Sequence, residues 1–201
     1  MRRFRIGVNM AGAVSAGAYT AGVLDFLTEA LDAWYAAKSN GEAVPMHEVS
    51  LEVLSGASAG GMCAAISAAM IQGTFQHIHD TSLTGTSNTF YESWVNRIDI
   101  TKLLETGDLQ GDSPVFSLLD CTIIDEIADF AIAPVEPLQD RAYISKTLTL
   151  FLTLTNVTGI PYSLNDVSEG SLEETTLYHA DRLRFETILP GGKRSDETAK
   201  P

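Results

Sequence analysis

The sequence is poor in the residues that mark several common classes of protein. It has only two cysteines, Cys63 and Cys121, and neither belongs to a C-x-x-C pair or to a zinc-type Cys/His spacing. Lysine and arginine together number 13 against 26 acidic residues, so the net charge is −13. This balance excludes a broad basic surface for nucleic acid and electrostatic capture by an anionic membrane. Any contact with lipid would therefore use apolar surface.

Long apolar runs are also missing. The stretch from Ser58 to Ile71 is apolar but too short for a transmembrane helix. Met1-Arg2-Arg3 followed by apolar residues resembles the start of a signal peptide, but Asn9 and Ser15 interrupt the apolar stretch. The segment Phe4–Met10 is better interpreted as a first strand. We therefore expect a protein of the cytoplasm or of the periphery of a membrane.

Several site motifs do not occur. There is no G-x-G-x-x-G, no P-loop lysine and no Asp-Gly dipeptide. Among the four histidines, His77 and His79 alternate in a polar loop without a nearby cluster of carboxylates, which is weak evidence for metal ligation. We therefore expect no nucleotide cofactor and no metal.

The chain does have the composition of a globular domain. Apolar residues make up 45% and charged residues 19% of the 201 residues. These fractions are ordinary for a folded protein, and the length suffices to bury a core. We expect a single domain over residues 1–201.

Short apolar runs alternate with stretches of helical periodicity in the first part of the chain. Phe4–Met10 predicts a strand, residues 18–37 a helix, Leu51–Leu54 a second strand, and the run after it a helix of small residues. This order predicts an α/β fold with a parallel sheet. Further along, the pattern predicts a polar segment with short helices over 72–112, a helix over 117–132, a strand over 147–155 ended by Gly159-Ile160-Pro161, and a strand over 178–189.

The segment Gly56-Ala57-Ser58-Ala59-Gly60-Gly61 contains G-x-S-x-G between a strand and a helix, which is the setting that a nucleophile elbow requires. A sharp turn would present the Ser58 hydroxyl at the carboxyl edge of the sheet. Side chains at Gly56 and Gly60 would collide with the neighbouring strand or helix. The helix that follows offers N–H groups to a developing oxyanion. Ser58 is the predicted nucleophile, and a glycine-rich turn that only packs the helix on the sheet is the alternative.

Together with this elbow, the first loop resembles the patatin-like phospholipase family. Members open with a strand, an oxyanion loop of the form G-G-G-x-R/K-G and a helix carrying Gly-Val-Leu, followed later by G-x-S-x-G. Here the helix carries Gly22-Val23-Leu24, which places Gly12 and Gly17 on the first and last loop glycines. The resemblance covers Arg5 to Ile71. It implies a patatin-like three-layer α/β fold with a mainly parallel central sheet, incomplete at the C-terminus of this chain.

The resemblance also implies site roles. Backbone N–H groups of Gly12, Ala13 and Val14, together with Ala59, would form the oxyanion hole. The loop departs from the family pattern, because Ala13 and Val14 replace glycines and Ala16 replaces the basic residue. These departures indicate a divergent branch or a protein with weakened chemistry.

The general base is not evident in the sequence. In the family it is an aspartate in D-G-G or D-G-A far downstream of the serine, so we expect it beyond Pro201 in a longer chain. Asp166 and Asp181 are possible substitutes within the chain. Ser58, Asp166 and His179 also follow the chain order of an α/β-hydrolase triad, although that fold places several strands before its nucleophile.

The resemblance thus implies a serine lipid acyl hydrolase of phospholipase or lipase type with a Ser–Asp dyad. Ser58 would attack the ester carbonyl and water would cleave the acyl-enzyme. No metal or organic cofactor is implied, and the expected partners are an acyl-ester substrate and, through apolar surface, a membrane. We expect an apolar groove beside Ser58, covered by the loop between Gln72 and Asp112. The alternatives are a non-catalytic binding protein of the same fold and an esterase with a Ser-His-Asp triad.

Overall fold

The computed structural model describes residues 3–13, 16–80, 85–109, 117–133, 137–164 and 174–189. Within these ranges helices and strands alternate along the first part of the chain, and two long strands close it. In chain order the elements are β1 (Arg3–Met10), α1 (Gly17–Ser39), β2 (Glu48–Gly56), α2 (Ala59–Met70), α3 (Thr89–Tyr91), a π-helical turn (Glu92–Arg97), α4 (Ile100–Leu103), a 3-10 turn (Gly107–Leu109), α5 (Thr122–Ala131), β3 (Ile144–Leu164) and β4 (Glu174–Ile188).

The four strands form one sheet in the order β1-β2-β3-β4. The first three are parallel, and β4 runs antiparallel to β3. Met10 lies opposite Gly56, and Gly56 lies opposite Leu152. Strands β1 and β2 therefore end at the same level of the sheet, whereas β3 continues beyond it. The predicted α/β class with a mainly parallel sheet is confirmed. The patatin-like three-layer arrangement stays a prediction.

The described helices cover one face of this sheet. The chain steps from β1 to β2 to β3 in one direction, and right-handed crossovers then place both connections on the same face. The space between helices and sheet is filled by side chains that are almost wholly buried, namely Leu54, Met70, Phe90, Tyr143 and Leu148. The resulting core holds the carboxyl ends of β1 and β2 against the start of α2.

A buried arginine joins three elements on the helical side. Arg141 Nε donates to both carboxylate oxygens of Asp32 at 3.1 and 3.0 Å, and its Nη1 donates to the carbonyls of Ile71 and Gly73 at 2.7 and 2.8 Å. The Tyr143 hydroxyl donates to Asp32 Oδ1 at 2.8 Å. Burial, and then the nearby carboxylate, raises the pKa of Tyr143, so this hydroxyl remains a neutral donor. The network connects α1, the end of α2 and the start of β3.

The helix predicted over residues 117–132 begins later, at Thr122. Asp120 Oδ1 accepts a hydrogen bond from the Thr122 N–H at 2.9 Å, and Ser117 Oγ accepts one from the Leu119 N–H at 3.3 Å. These local bonds offer the backbone donors an alternative to a helical turn. The predicted helix start is therefore wrong, whereas short helices do occur within the described part of residues 72–112.

The predicted end of the third strand is also wrong, because β3 continues to Leu164. The pairing with β4 is interrupted between Thr155 and Ile160 and then resumes. Gly159 has a φ of +75° within this bulge, and its N–H donates to Asn156 Oδ1 at 3.1 Å. The pairing of β3 with β2 ends at Leu152, so Pro161 lies where β3 pairs with β4 alone among the described strands.

Candidate active site

Ser58 occupies the sharp turn between β2 and α2. Its backbone has φ 51° and ψ −125°, and among the described residues it is the one non-glycine residue with positive φ. Such a conformation costs on the order of 1–3 kcal/mol and persists only where the surroundings impose it. The Ser58 side chain is exposed at the carboxyl edge of the sheet. This is the backbone geometry that a nucleophile elbow requires.

The two elbow glycines are fixed by close backbone contacts. A Cβ at Gly56 would lie 2.3 Å from the carbonyl carbon of Gly60, and a Cβ at Gly60 would lie 2.4 Å from the carbonyl oxygen of Met10. Both distances are far below van der Waals contact with backbone that cannot move independently. The structure therefore has the steric constraint that the sequence motif predicts at these positions.

The loop after β1 lies against the elbow. The Ala57 N–H donates to the Met10 carbonyl at 3.2 Å, and a Cβ at Gly12 would lie 3.0 Å from Ser58 Cβ. Gly12 is thus in contact range of Ser58, as an oxyanion loop must be, and Ala13 follows it as a half-buried residue. Val14, the third predicted donor, lies outside the described residues.

The amino end of α2 completes the local geometry. Ala59 is the first residue of this helix and is buried. Ser58 occupies the N-cap position, and its side chain forms no capping hydrogen bond with the helix. The first N–H groups of a helix lack partners within it and form the positive end of its dipole. An oxyanion formed at Ser58 could therefore accept a hydrogen bond from the backbone N–H of Ala59.

None of the histidines is placed at Ser58 by its contacts. His77 Nδ1 is 2.7 Å from Asp25 Oδ1, and His79 Nε2 is 3.1 Å from Glu29 Oε1, so both face α1. His47 packs on a tryptophan of α1. His179 Nδ1 bonds the Asn156 carbonyl in the β3–β4 bulge. The described residues thus bring no histidine to the elbow, which counts against a Ser-His-Asp triad.

Of the two carboxylates proposed as substitutes, Asp181 forms its hydrogen bond within its own strand and not with Ser58. Asp181 lies on β4, which is separated from β2 by β3, and its Oδ1 accepts the N–H of Arg182 at 2.7 Å. Asp166 lies outside the described residues. Within the described ranges, no cluster of three or more His, Cys, Asp or Glu has the geometry of a metal site.

Cys63, the cysteine next to the elbow, does not have the environment of a nucleophile. Cys63 is fully buried five residues after Ser58, and its Sγ donates to the Gly17 carbonyl at 3.5 Å. Burial raises the pKa of the Cys63 thiol to about 11, which suppresses the reactive thiolate at neutral pH. Cys121 is exposed and forms no disulfide. The serine is therefore the nucleophile candidate in this region.

Two grooves open near these elements. One of about 680 Å³ crosses the sheet edge, lined by the ends of β1 and β2, by residues 151–153 of β3 and by Arg182 of β4. The other, of about 490 Å³, runs between α1 and residues 78–79 and 88–95 and includes Phe26, Phe90 and Trp94. Ser58 is not among the lining residues of either groove, although Gly56 and Ala57 line the first. Within the described residues, the 72–112 segment thus lines a groove along α1 and not the predicted groove beside Ser58.

The sequence interpretation missed three residues of the edge groove. The Ser55 hydroxyl donates to Asn9 Oδ1 at 2.8 Å, and Arg182 extends to the same groove from β4. The alternation of polar and apolar residues from Arg182 to Glu186 was the available signal, because it places Arg182 on one face of a strand.

Comparison with known proteins gives a relative without an assigned activity. No protein-family model matches the chain, and no solved structure matches it. The chain is 38% identical over 196 residues to "Uncharacterized protein y4iI" of Sinorhizobium fredii (strain NBRC 101917 / NGR234). The match covers 90% of this chain and 28% of the relative, so the chain spans less than a third of that protein's length. None of the helices in the described ranges is long and apolar enough to cross a bilayer.

Proposed function

We propose that this protein is a serine acyl hydrolase of the patatin-like type that acts on lipid esters. The observation that carries the proposal is the backbone of Ser58, a non-glycine residue held at φ 51° on a strand–turn–helix elbow. A turn that served only for packing would have no need of a strained residue with an exposed hydroxyl between two sterically constrained glycines.

The chemistry follows from the groups around Ser58. Its Oγ attacks the ester carbonyl carbon, and the resulting oxyanion accepts hydrogen bonds from N–H groups of the Gly12–Ala13 loop and of Ala59. The hydroxyl proton passes to a general base and then to the departing alkoxide as the carbon–oxygen bond breaks. Water attacks the acyl-enzyme in the second step, and the serine hydroxyl is restored.

The base is a carboxylate outside the described residues. The histidines and Asp181 are engaged elsewhere, and no described carboxylate is bonded to Ser58. A Ser–Asp dyad fits this arrangement better than a triad. We further propose that the protein meets its substrate at a lipid surface through exposed apolar side chains of α1.

Covalent labelling tests this proposal directly. A fluorophosphonate probe reacts with activated serines, so we expect one adduct on the peptide that contains Ser58, located by mass spectrometry. The Ser58→Ala variant should lose the adduct. The Ser39→Ala variant, which alters an exposed serine at the end of α1, should retain it.

A folded protein whose Ser58 is not labelled would contradict the proposal. If circular dichroism shows the purified protein to be folded and Ser58 takes up no probe, the elbow is not catalytic. The non-catalytic binding protein would then be the better interpretation.

A further inference from the structure

Trp94 packs so closely against the first residue of α1 that this residue has no room for a side chain. A Cβ at Gly17 would lie 2.6 Å from Trp94 Cζ2 and nearer still to two other carbons of the indole ring. Gly17 is buried, and it is not among the glycines with positive φ, so its backbone conformation alone would accept an alanine. The space that a side chain would need is filled by the six-membered ring of Trp94.

The same ring reaches α2. Cys63 Sγ donates to the Gly17 carbonyl at 3.5 Å. Burial raises the pKa of the Cys63 thiol, and the Trp94 indole N–H offsets part of that effect. Trp94, Gly17 and Cys63 thus meet where α1 begins beside α2. The oxyanion donors are near in the chain, because Ala59 is four residues before Cys63. The Gly12–Ala13 loop likewise ends four residues before Gly17.

The element that carries Trp94 is fixed by contacts of its own. It is the π-helical turn, a form of helix that occurs mostly as single turns and frequently at functional sites. The Glu92 carboxylate is buried and accepts a hydrogen bond from Asn96 Nδ2 at 2.7 Å. The Arg97 guanidinium lies 3.8 Å from the centre of the Phe130 ring of α5. The turn is therefore tied to α5 as well as within itself, and it holds the Trp94 ring in place against α1.

The loop between β1 and α1 is held near both of its ends. At the first end, the Met10 carbonyl accepts the Ala57 N–H, and Gly12 lies in contact range of Ser58. At the other end, Gly17 is enclosed by Trp94 and Cys63. An oxyanion hole lowers the barrier only where its donors are already in position, and a displacement of about 1 Å can lower a rate roughly a hundredfold. The contact of Trp94 with Gly17 therefore bears on the donors of this loop.

From these contacts we infer that Trp94 is a positioning residue, whose ring fixes the start of α1 and thereby the N–H groups of Gly12 and Ala13 beside Ser58. Trp94 is not a catalytic residue in this scheme, because it acts through Gly17. Its effect on reactivity rests on the proposed hydrolase function, whereas its effect on the loop does not. The 72–112 segment, which was predicted to cover a groove beside Ser58, would act on the site through this side chain.

Backbone dynamics test the inference without any reaction. Trp94→Phe removes the ring carbons that meet Gly17 and keeps an aromatic side chain. We expect the amide order parameters of the Gly12–Ala13 loop, measured by nitrogen-15 relaxation, to be about 0.85 in the wild type and to fall toward about 0.6 in the variant. Trp34→Phe is the matched control, because Trp34 packs on His47 in the second half of α1. Equal order parameters in Trp94→Phe and the wild type, or an equal fall in Trp34→Phe, would overturn the inference.

The rate at which a fluorophosphonate labels Ser58 measures the coupling between Trp94 and Gly17. We expect Gly17→Ala to slow labelling roughly a hundredfold and Trp94→Phe to slow it roughly tenfold. The shorter ring leaves room for a methyl group, so adding Gly17→Ala to Trp94→Phe should cost no more than about another twofold. The double variant should therefore react faster than Gly17→Ala alone. Gly22→Ala is the glycine control, since nothing lies within 4 Å of its Cβ, and it should slow labelling in neither background. Equal losses from Gly17→Ala with and without Trp94→Phe would contradict the assigned role.

Steady-state hydrolysis of p-nitrophenyl butyrate separates this inference from the proposed function. We expect Trp94→Phe to lower kcat about tenfold while KM stays within about twofold, because the oxyanion exists only as the reaction proceeds. Circular dichroism checks that the folded fraction is unchanged. If no variant is labelled or cleaves the ester but the order parameters depend on Trp94, the hydrolase proposal fails and the positioning of the loop stands. If Ser58-dependent cleavage is equal in Trp94→Phe and the wild type, the positioning role fails and the hydrolase stands.

Discussion

At the residue scale, Gly60 has no room for a side chain, because the atoms it would meet belong to the backbone of Met10 at the end of β1 and of Ala11 just after it. A Cβ there would lie 2.4 Å from the Met10 carbonyl oxygen and 2.7 Å from the Ala11 carbonyl oxygen. We expect Gly60→Ala to lower the free energy of unfolding by about 3 kcal/mol or more, since either the strand or the helix must move. Urea denaturation followed by circular dichroism measures the loss.

Gly22 provides the matched control for that substitution. It lies within α1, and nothing comes within 4 Å of a Cβ built on it. Gly22→Ala should raise the free energy of unfolding by up to about 1 kcal/mol, because alanine favours a helix interior. A comparable loss of stability in both variants would show that the close contact at Gly60 is not what constrains the elbow.

The sequence predicts part of the geometry around Ser58 and leaves another part open. The order of strand, G-x-S-x-G and helix is local, so it predicts the turn and the roles of Gly56 and Gly60 from neighbours in the chain. The contact of Gly12 with Ser58 depends instead on the pairing of β1 with β2. The resemblance to the patatin-like family predicted that contact, whereas the periodicity of apolar residues contains no information about it.

At the scale of elements, Arg141 connects α1 and the end of α2 to β3. Replacing it with methionine would leave two carbonyls without their donor in a largely dry site, and Asp32 would keep the Tyr143 hydroxyl but lose the guanidinium. We expect Arg141→Met to destabilise the protein by roughly 2–4 kcal/mol, below the full cost of a buried unpaired charge because Asp32 is 26% exposed. Chemical denaturation gives the value.

A surface ion pair close by in the chain serves as the control. Lys146 Nζ bonds Asp140 Oδ1 at 2.7 Å, but both side chains are well exposed. Lys146→Met should change the free energy of unfolding by no more than about 0.5 kcal/mol, because solvent screens exposed pairs. Equal losses for the two variants would mean that burial does not distinguish these pairs and that the Arg141 network contributes little.

Elements differ in how well the sequence predicts their limits. Strand β1 and helix α1 follow their apolar periodicity closely, because their limits are set by spacing along the chain. Strand β2 begins three residues before the predicted Leu51–Leu54 and ends two residues after it, and β4 begins at Glu174, four residues before its predicted start. The start of α5 depends on side-chain hydrogen bonds from Ser117 and Asp120, and the length of β3 depends on its partner β4 across a bulge. Interactions of these two kinds leave no periodic signal, so both limits were predicted wrongly.

At the scale of the whole molecule, the fold class and the order of strands and helices could be predicted from the sequence, but the position of Arg182 relative to Ala57 could not. Alternating strands and helices imply a parallel sheet with crossovers, and the sheet order confirms this. The level of Arg182 relative to Ala57 follows from two registers added together across three strands. A shift of one residue in either register would move Arg182 to the other face, so composition alone could not assign it.

The overall charge and the exposed face of α1 together predict how the protein meets a lipid surface. Tyr19, Val23 and Phe26 follow helical spacing, and Tyr19 and Phe26 are 76% and 69% exposed. With a net charge of −13, anionic lipid repels the protein, whereas these apolar side chains can insert into neutral lipid. In vesicle cosedimentation we expect more bound protein with zwitterionic than with anionic vesicles at low salt.

Salt should then raise binding to the anionic vesicles, because at 0.1 M the Debye length is about 10 Å and the repulsion is largely screened. Joint replacement of Tyr19 and Phe26 by serine should reduce binding to zwitterionic vesicles severalfold. Phe4→Ser is the control, because Phe4 is 64% exposed but lies near the amino end of β1, about 20 Å from the edge that carries Ser58. Stronger binding to anionic vesicles at low salt, or an equal loss in the Phe4→Ser variant, would show that α1 does not face the lipid and that another surface provides the contact.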